Sequence, residues 1–258
     1  MSSNVFEIAG RAPGPRLPLL VGALSRPVAW RAGQPVSAAV FLGHVRQVAS
    51  LLPDAGSAVN LCEDRYAFLV AFAALVVRGQ TNLLPPSRAP HAVDEVMAGH
   101  PGSYAIGELD LSPAPAGYVR IPALDDGASV ETEVPMIAAD AVVAIGYTSG
   151  STGKPKPNVK TWGSFVDSNA GNASMLGKSI GKAFDLVATV PPQHMYGMEM
   201  SVLMPLLSEV SVHAGRPFFP ADVAAALATM PEPRVLVTTP VHLRALVESG
   251  VALPPLAA

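Results

Sequence analysis

Residues 141–160, AVVAIGYTSGSTGKPKPNVK, decide how the rest of the chain is read. Ala141 to Ile145 is an apolar run of strand length bounded at once by turn residues, so it reads as a buried strand. From Gly146 to Lys156 the chain consists, Tyr147 aside, of Gly, Ser, Thr, Lys and Pro. Glycine and proline both penalise a helix. In a strand interior glycine has nothing to pack, and proline cannot donate to the ladder. The segment therefore reads as a loop. Backbone N–H groups freed by the glycines, the hydroxyls of Thr148, Ser149, Ser151 and Thr152, and the ammonium groups of Lys154 and Lys156 suit a phosphate-type anion.

Outward from this stretch the pattern is regular. Upstream, residues 1–27 read as an irregular arm, Trp30 follows the apolar pair Val28-Ala29, and Gly33-Gln34-Pro35 reads as a turn. Ser37 is a candidate N-cap for a helix through Phe41, Val45, Val48 and Leu52, stopped by Pro53. Ala58–Leu61 reads as a strand, Arg65–Val77 as an apolar helix with Gly79 at its left-handed cap position, and Thr81–Leu84 as a strand. A short helix over His91–Ala98 and a strand over Ser103–Ile106 follow. Residues 107–139 break the alternation with scattered Pro, Gly and acidic residues and read as a connection or a pair of edge strands.

Downstream the expected order is helix (Trp162–Leu176), strand (Leu186–Val190), and a helix over Met195–Leu207 interrupted near Pro205. Then come a strand (Val210–His213), a helix (Ala221–Thr229), a strand (Arg234–Val237) and a helix (Val241–Ser249). Such alternation predicts an α/β fold of layered, parallel-rich sheets with flanking helices.

Composition excludes several classes. Half of the 258 residues are hydrophobic and 14% are charged, which supplies a large core and argues against disorder. A net charge of −3 leaves no electrostatic footprint for nucleic acid. The longest apolar run, Tyr66–Val77, lies between Arg65 and Arg78 and is too short to cross a bilayer of roughly 30 Å, so no transmembrane segment is expected. No secretory signal is legible. Cys62, the single cysteine, cannot form an internal disulfide and reads as a small buried hydrophobe. The chain is expected to be cytoplasmic.

Known phosphate loops fail letter by letter. A Walker loop, G-x-x-x-x-G-K-[ST], would need Gly where Thr148 stands and a hydroxyl where Pro155 stands. At Gly177-Lys178-Ser179 the required first glycine is offset, since Gly171 comes one residue too early. A dinucleotide fingerprint finds only Gly150 and Gly153 suitably spaced. The hydrolase elbow G-x-S-x-G meets Tyr147 in place of its first glycine.

The run Tyr147-Thr148-Ser149-Gly150-Ser151-Thr152-Gly153-Lys154-Pro155-Lys156 resembles the signature of the AMP-forming, adenylate-forming ligases. That superfamily includes acyl-CoA synthetases, aryl-acid ligases and peptide-synthetase adenylation domains. The resemblance implies that Thr148, Ser149, Gly150, Ser151, Thr152, Gly153, Lys154 and Lys156 bind the β- and γ-phosphates of ATP. Glycines would let the loop close, hydroxyls would donate, and lysines would offset the leaving charge of pyrophosphate. One departure stands out: Pro157 occupies a position that is usually glycine and removes a backbone donor. That variant is similar to the ligases of xanthomonadin and aryl-polyene pigment biosynthesis, which implies an aryl acid such as hydroxybenzoate as substrate.

Pro191-Pro192-Gln193-His194-Met195-Tyr196-Gly197 resembles a second motif of the same superfamily, P-x-x-H-x-x-G. There His194 would border the carboxylate-binding pocket as the catalytic-site histidine, with Tyr196 and Gly197 shaping it. Thr238-Thr239-Pro240 weakly resembles the turn near the acyl pocket, which makes Thr239 a substrate-binding candidate. Glu199 reads as a solvated face or a local partner.

The resemblance implies ATP and Mg2+ as cofactors and CoA or an acyl carrier protein as acceptor. It assigns no metal ligand within these residues. The magnesium carboxylate, in an aromatic-Gly-x-Thr-Glu segment, is expected beyond Ala258, as are a ribose-binding aspartate and a mobile C-terminal domain with a catalytic lysine. Residues 1–258 are therefore expected to be the N-terminal adenylation domain, incomplete and without full activity alone. The rival reading is a non-catalytic module that binds nucleotide or acyl groups, or scaffolds a carrier protein.

Overall fold

The structure, a computed structural model, describes residues 14–124, 129–148, 156–181 and 183–258. In chain order the first half runs β1 (Arg16–Pro18), β2 (Pro27–Arg31), β3 (Gln34–Ser37), α1 (Ala38–Leu51), β4 (Ser57–Asn60), α2 (Arg65–Val77), β5 (Thr81–Leu84) and α3 (Pro90–Ala98). It continues through β6 (Tyr104–Gly107), β7 (Val119–Arg120), β8 (Met136–Ala138) and β9 (Val142–Thr148). The second half runs β10 (Lys156–Thr161), α4 (Trp162–Ile180), β11 (Phe184–Ala188), α5 (Met195–Met198), a π-helical turn over Glu199–Leu203 and α6 (Met204–Leu207). β12 (Val210–His213), α7 (Pro220–Ala228), β13 (Arg234–Val237) and α8 (Pro240–Ser249) complete it.

Two parallel-rich sheets carry the molecule, with helices between and around them. One has the order β10-β9-β5-β4-β6-β7 and is parallel except for β10. The other has the order β13-β11-β12-β2-β3 and is parallel except for β3. β1 and β8 form a small antiparallel pair.

Helix α2 shows how sequence produces this arrangement. Asp64 caps it, Oδ1 accepting from Ala67 N–H at 2.8 Å, and every residue except Val77 is buried. A helix apolar all round has no solvent face and must be enclosed. It packs on β4, β5 and β6 and against α1, which touches β2 and β3. Gly79 then takes the left-handed conformation (φ +69) that ends it.

Three expectations need correction. Lys156-Pro157 do not continue a loop but begin strand β10, antiparallel to β9, with Lys156 opposite Thr148 and Pro157 opposite Tyr147. Proline is accommodated because β10 is an edge strand. Gln34 and Pro35 belong to β3, and the reversal falls on Ala32-Gly33, both with positive φ. The interruption of the helix over 195–207 is the π-helical turn at Glu199–Leu203, ahead of Pro205, which sits at the start of α6 where a proline costs little. Of the expected arm, residues 1–13 lie outside the described residues, and Arg16–Pro18 form β1.

Candidate active site

Residues at or just past the carboxyl ends of β2, β4, β6 and β12 line one groove, the position where an α/β fold places its ligands. On the first sheet β9 ends at Thr148 and β10 begins at Lys156, and these two residues are paired across the antiparallel ladder. Ser149, Gly150, Ser151, Thr152, Gly153 and Lys154 lie outside the described residues, as does the side chain of Thr148. Gly146, two residues before the end of β9, passes the neighbouring sheet's exit: a Cβ there would sit 3.4 Å from Met195 Cε. The run-up to the signature loop and the first residue of α5 are thus side by side.

On the second sheet β11 leads through Thr189, Val190 and Pro191-Pro192 to His194, which caps α5 in an extended conformation and donates its N–H to the Pro191 carbonyl at 3.2 Å. The turn is tight enough to dictate its composition. A Cβ on Gly197 would lie 2.0 Å from the Pro191 oxygen, so no other residue fits without moving the backbone.

The turn is held from behind by Arg65. This side chain is fully buried at the start of α2 and donates to the carbonyls of Ala188 and Val190 at 2.8 and 3.0 Å and to Ser201 Oγ. Ser201, in the π-helical turn, passes the restraint on by donating to the Gly197 carbonyl at 2.6 Å. Burial lowers the Arg65 guanidinium to about 10, opposed by Asp64, and it remains charged at neutral pH. The π-helical turn is where Ser201 meets Arg65, in keeping with the tendency of such turns to mark functional sites.

His194 is held below the ordinary imidazole value, first by burial and then by the positive charges of Arg216 and Arg88. At neutral pH it is a neutral ring, able to donate or accept one hydrogen bond at each nitrogen. Tyr196 is half-exposed on the next turn. Glu199 is a local partner, accepting from Ser168 Oγ at 2.9 Å and from Asn172 Nδ2 at 3.4 Å, both on α4.

Thr239 caps α8, its Oγ1 accepting from His242 N–H at 3.3 Å. It joins the exit of β11 through His242 and Thr189 rather than through His194: Thr189 Oγ1 is 3.0 Å from His242 Nδ1 and 2.9 Å from Thr238 Oγ1. Arg65, Thr189 and His242 were not legible as site residues. The one available signal was a lone arginine heading an otherwise apolar helix.

The groove, of about 1390 Å³, opens at the β2–β12 and β6–β7 ends of the sheets. Its charged lining includes Arg31, Asp64, Glu108 and Arg120, with His213 beside them. Among the described residues no group of three or more His, Cys, Asp or Glu side chains could hold a metal ion. Nor is any described helix long and apolar enough to cross a membrane.

The family model of the AMP-binding enzymes matches residues 42–255. The chain belongs to the AMP-binding enzyme family. No curated protein matches it closely enough to count. Among solved structures it is similar to o-succinylbenzoate CoA synthetase from Bacillus subtilis in complex with its acyl-adenylate. That match has a TM-score of 0.70 and 21% identity, covering 89% of this chain and 62% of the other. The same synthetase with ATP and magnesium ion matches with a TM-score of 0.68 and 18% identity over 90% of this chain and 65% of the other. Apo MatB from Rhodopseudomonas palustris matches with a TM-score of 0.67 and 20% identity over 88% and 48%. The family's α/β architecture is therefore the architecture seen here, and this AMP-binding chain spans less than two thirds of the length of those relatives.

Proposed function

We propose that this AMP-binding enzyme chain is the N-terminal portion of a ligase that activates a carboxylic acid with ATP and passes the acyl group to a thiol. The observation that carries the reading is the proximity of two separately recognised segments. On β9, which leads into Ser149–Lys154, a Cβ at Gly146 would lie 3.4 Å from Met195 Cε, and Met195 follows His194.

In this reading the loop and Lys156 hold the triphosphate, while His194, Tyr196 and Gly197 border the acid. The acid's carboxylate oxygen attacks the α-phosphorus. The bond from that phosphorus to the bridging oxygen breaks, and pyrophosphate departs with its charge offset by Lys154 and Lys156. A thiolate then attacks the acyl carbon and AMP leaves. A neutral His194 suits a binding role beside a carboxylate, because it can donate one hydrogen bond without a competing charge. Mg2+ bound to the triphosphate would offset further charge, and among the described residues no cluster of His, Cys, Asp or Glu fits it as a resident ion. The substrate is an aryl acid of the hydroxybenzoate kind, in keeping with Pro157, and the acceptor is CoA or a carrier-protein thiol. The 1390 Å³ groove has room for the acceptor's arm.

Titration calorimetry with ATP tests the reading on the 258-residue chain. Lys154→Ala with Lys156→Ala is expected to weaken ATP binding at least about tenfold while leaving the melting temperature within a few degrees. No ATP binding by the parent chain would sink the proposal. ATP and acid binding without any pyrophosphate exchange, in this chain and in any longer form, would favour the non-catalytic module.

A further inference from the structure

The second sheet has a topological feature that the acid-binding reading does not use. The connection leaving β11, through α5 and α6, packs on the face bearing Leu186 and Ala188. The connection leaving β12 crosses over β11 to reach β13, and its helix α7 packs with α8 on the face bearing Val187. The chain therefore leaves β11 and its neighbour β13 toward opposite faces. Such a divergence opens a crevice at the carboxyl ends of the pair, the general position of ligand sites in open α/β sheets.

That crevice contains a connected polar group. Thr189 at the exit of β11 reaches Thr238 Oγ1 at 2.9 Å and His242 Nδ1 at 3.0 Å, and Thr239 Oγ1 lies 3.2 Å from the same nitrogen. Phe218, arriving from the β12–α7 connection, sets its ring edge-on to the imidazole at 5.4 Å. The ring is thus fixed through Nδ1 and one flank. Nε2, on its other side, makes no hydrogen bond among the described residues.

Capping α8 explains only part of this. The cap needs the Thr239 hydroxyl and the backbone N–H of residue 242; it does not need an imidazole there, nor hydroxyls at 189 and 238. We infer that His242 is a specificity-determining residue whose Nε2 reads a neutral polar substituent, a hydroxyl, on the acid bound beside His194.

The chemistry selects that substituent. Hydroxyl neighbours can donate or accept, so they tolerate either imidazole tautomer and let Nε2 do the reverse of what its ligand does. The ring's described neighbours are hydroxyls and an aromatic edge, a setting matched to a neutral substituent rather than to a second carboxylate. The exposed rings of Phe218 and Phe219, themselves edge to face at 5.2 Å, offer a flat apolar flank for an aryl ring. Thr189 lies five residues before His194 on one continuous segment, and Arg216, whose charge acts on His194, lies two residues before Phe218, so two connections link the crevice to the proposed carboxylate site.

This inference rests on the acid-activation reading, and its test separates the two. Binding of benzoate and of 2-, 3- and 4-hydroxybenzoate is measured calorimetrically in the presence of AMP, with ATP binding measured on the same samples. The parent chain is expected to prefer one hydroxybenzoate over benzoate by about tenfold to a hundredfold, as a hydrogen-bonding site does when its partner is missing. His242→Ala should erase that preference while keeping benzoate and ATP affinity. His242→Gln, which retains a donor and an acceptor, should restore part of it, and Thr189→Val should halve it or more by loosening the ring. Equal binding of all four acids by the parent chain, a preference that survives His242→Ala, or binding of ATP but no acid would each overturn the inference. Loss of ATP binding in the parent chain would instead overturn the underlying reading.

Discussion

The β9–β10 hairpin and the Pro191–Gly197 turn face the same end of the molecule, yet the two are built in opposite ways. β10 is an exposed edge strand, its first four residues open to solvent. Its described neighbours restrain it mainly through the ladder to β9. The Pro191–Gly197 turn is fixed by sterics and by a buried cation: the Pro191 oxygen leaves no room for a Cβ on Gly197, and Arg65 secures both ends of the segment. In the proposed reading, a triphosphate site fed by β9 and β10 would gain from loose support, whereas a wall that orients an acid would gain from rigidity.

The largest expected effect comes from removing the brace. Arg65→Met leaves the Ala188 and Val190 carbonyls and Ser201 without their donor inside a dry core and is expected to cost on the order of 3 kcal/mol. Urea denaturation measures that loss. Arg65→Lys keeps the charge but cannot reach all three acceptors together, and should recover only part of the stability. If the comparison holds, a folded Arg65→Lys protein loses acid affinity and keeps ATP affinity. Equal loss of both would mean that the hairpin depends on the same brace and that the two regions are not independently supported.

Much of this was legible beforehand, and what escaped has physical causes. The parallel strands β4, β5, β6, β9, β11, β12 and β13 and the enclosed helix α2 were visible because burial on both faces demands continuous apolar runs, whereas the short β2–β3 pair was not read as strands. The signature letters were visible because their composition suits no ordinary packing. β10 was missed since KPNVKT has the composition of a loop, and only pairing with β9 makes it a strand. The π-helical turn carries no local signal separating it from the Pro205 kink. The roles of Arg65 and His242 depend on carbonyls and hydroxyls far away in sequence, which no local pattern announces.

Acidity offers a probe of smaller effect that acts on the braced region. His213, at the end of β12, is held below the ordinary value of 6.5 mainly by burial, with Arg65 acting in the same sense and Gly215 N–H and Asp64 against it. The folded protein therefore binds that proton less readily than the unfolded chain. Its contribution is intact above about pH 6.5 and is lost as the pH falls below it; His194 adds the same sign. The buried carboxyls of Asp64 and Asp185 are raised instead, so the fold takes up their protons more readily and their influence opposes this nearer pH 4. His213→Asn is expected to narrow the drop in the urea midpoint between pH 7.5 and 5.5, by an amount worth under about 1 kcal/mol. An unchanged drop would assign the acid sensitivity to His194 instead.

The smallest effect is expected at Pro157, the one departure from the signature's usual glycine. Opposite Tyr147 on an edge strand, it sits inside β10 rather than in the loop. Pro157→Gly relaxes the unfolded chain and should cost about 0.5–1 kcal/mol of stability. Because the residue is already committed to pairing with β9, the added N–H is expected to change ATP affinity by less than about threefold. A tenfold gain in calorimetry would mean instead that the phosphate site extends past Lys156 to the second residue of the strand. The proline would then act as a brake on nucleotide binding, and the contrast between a loosely held hairpin and a braced turn would narrow at the residue where the hairpin begins.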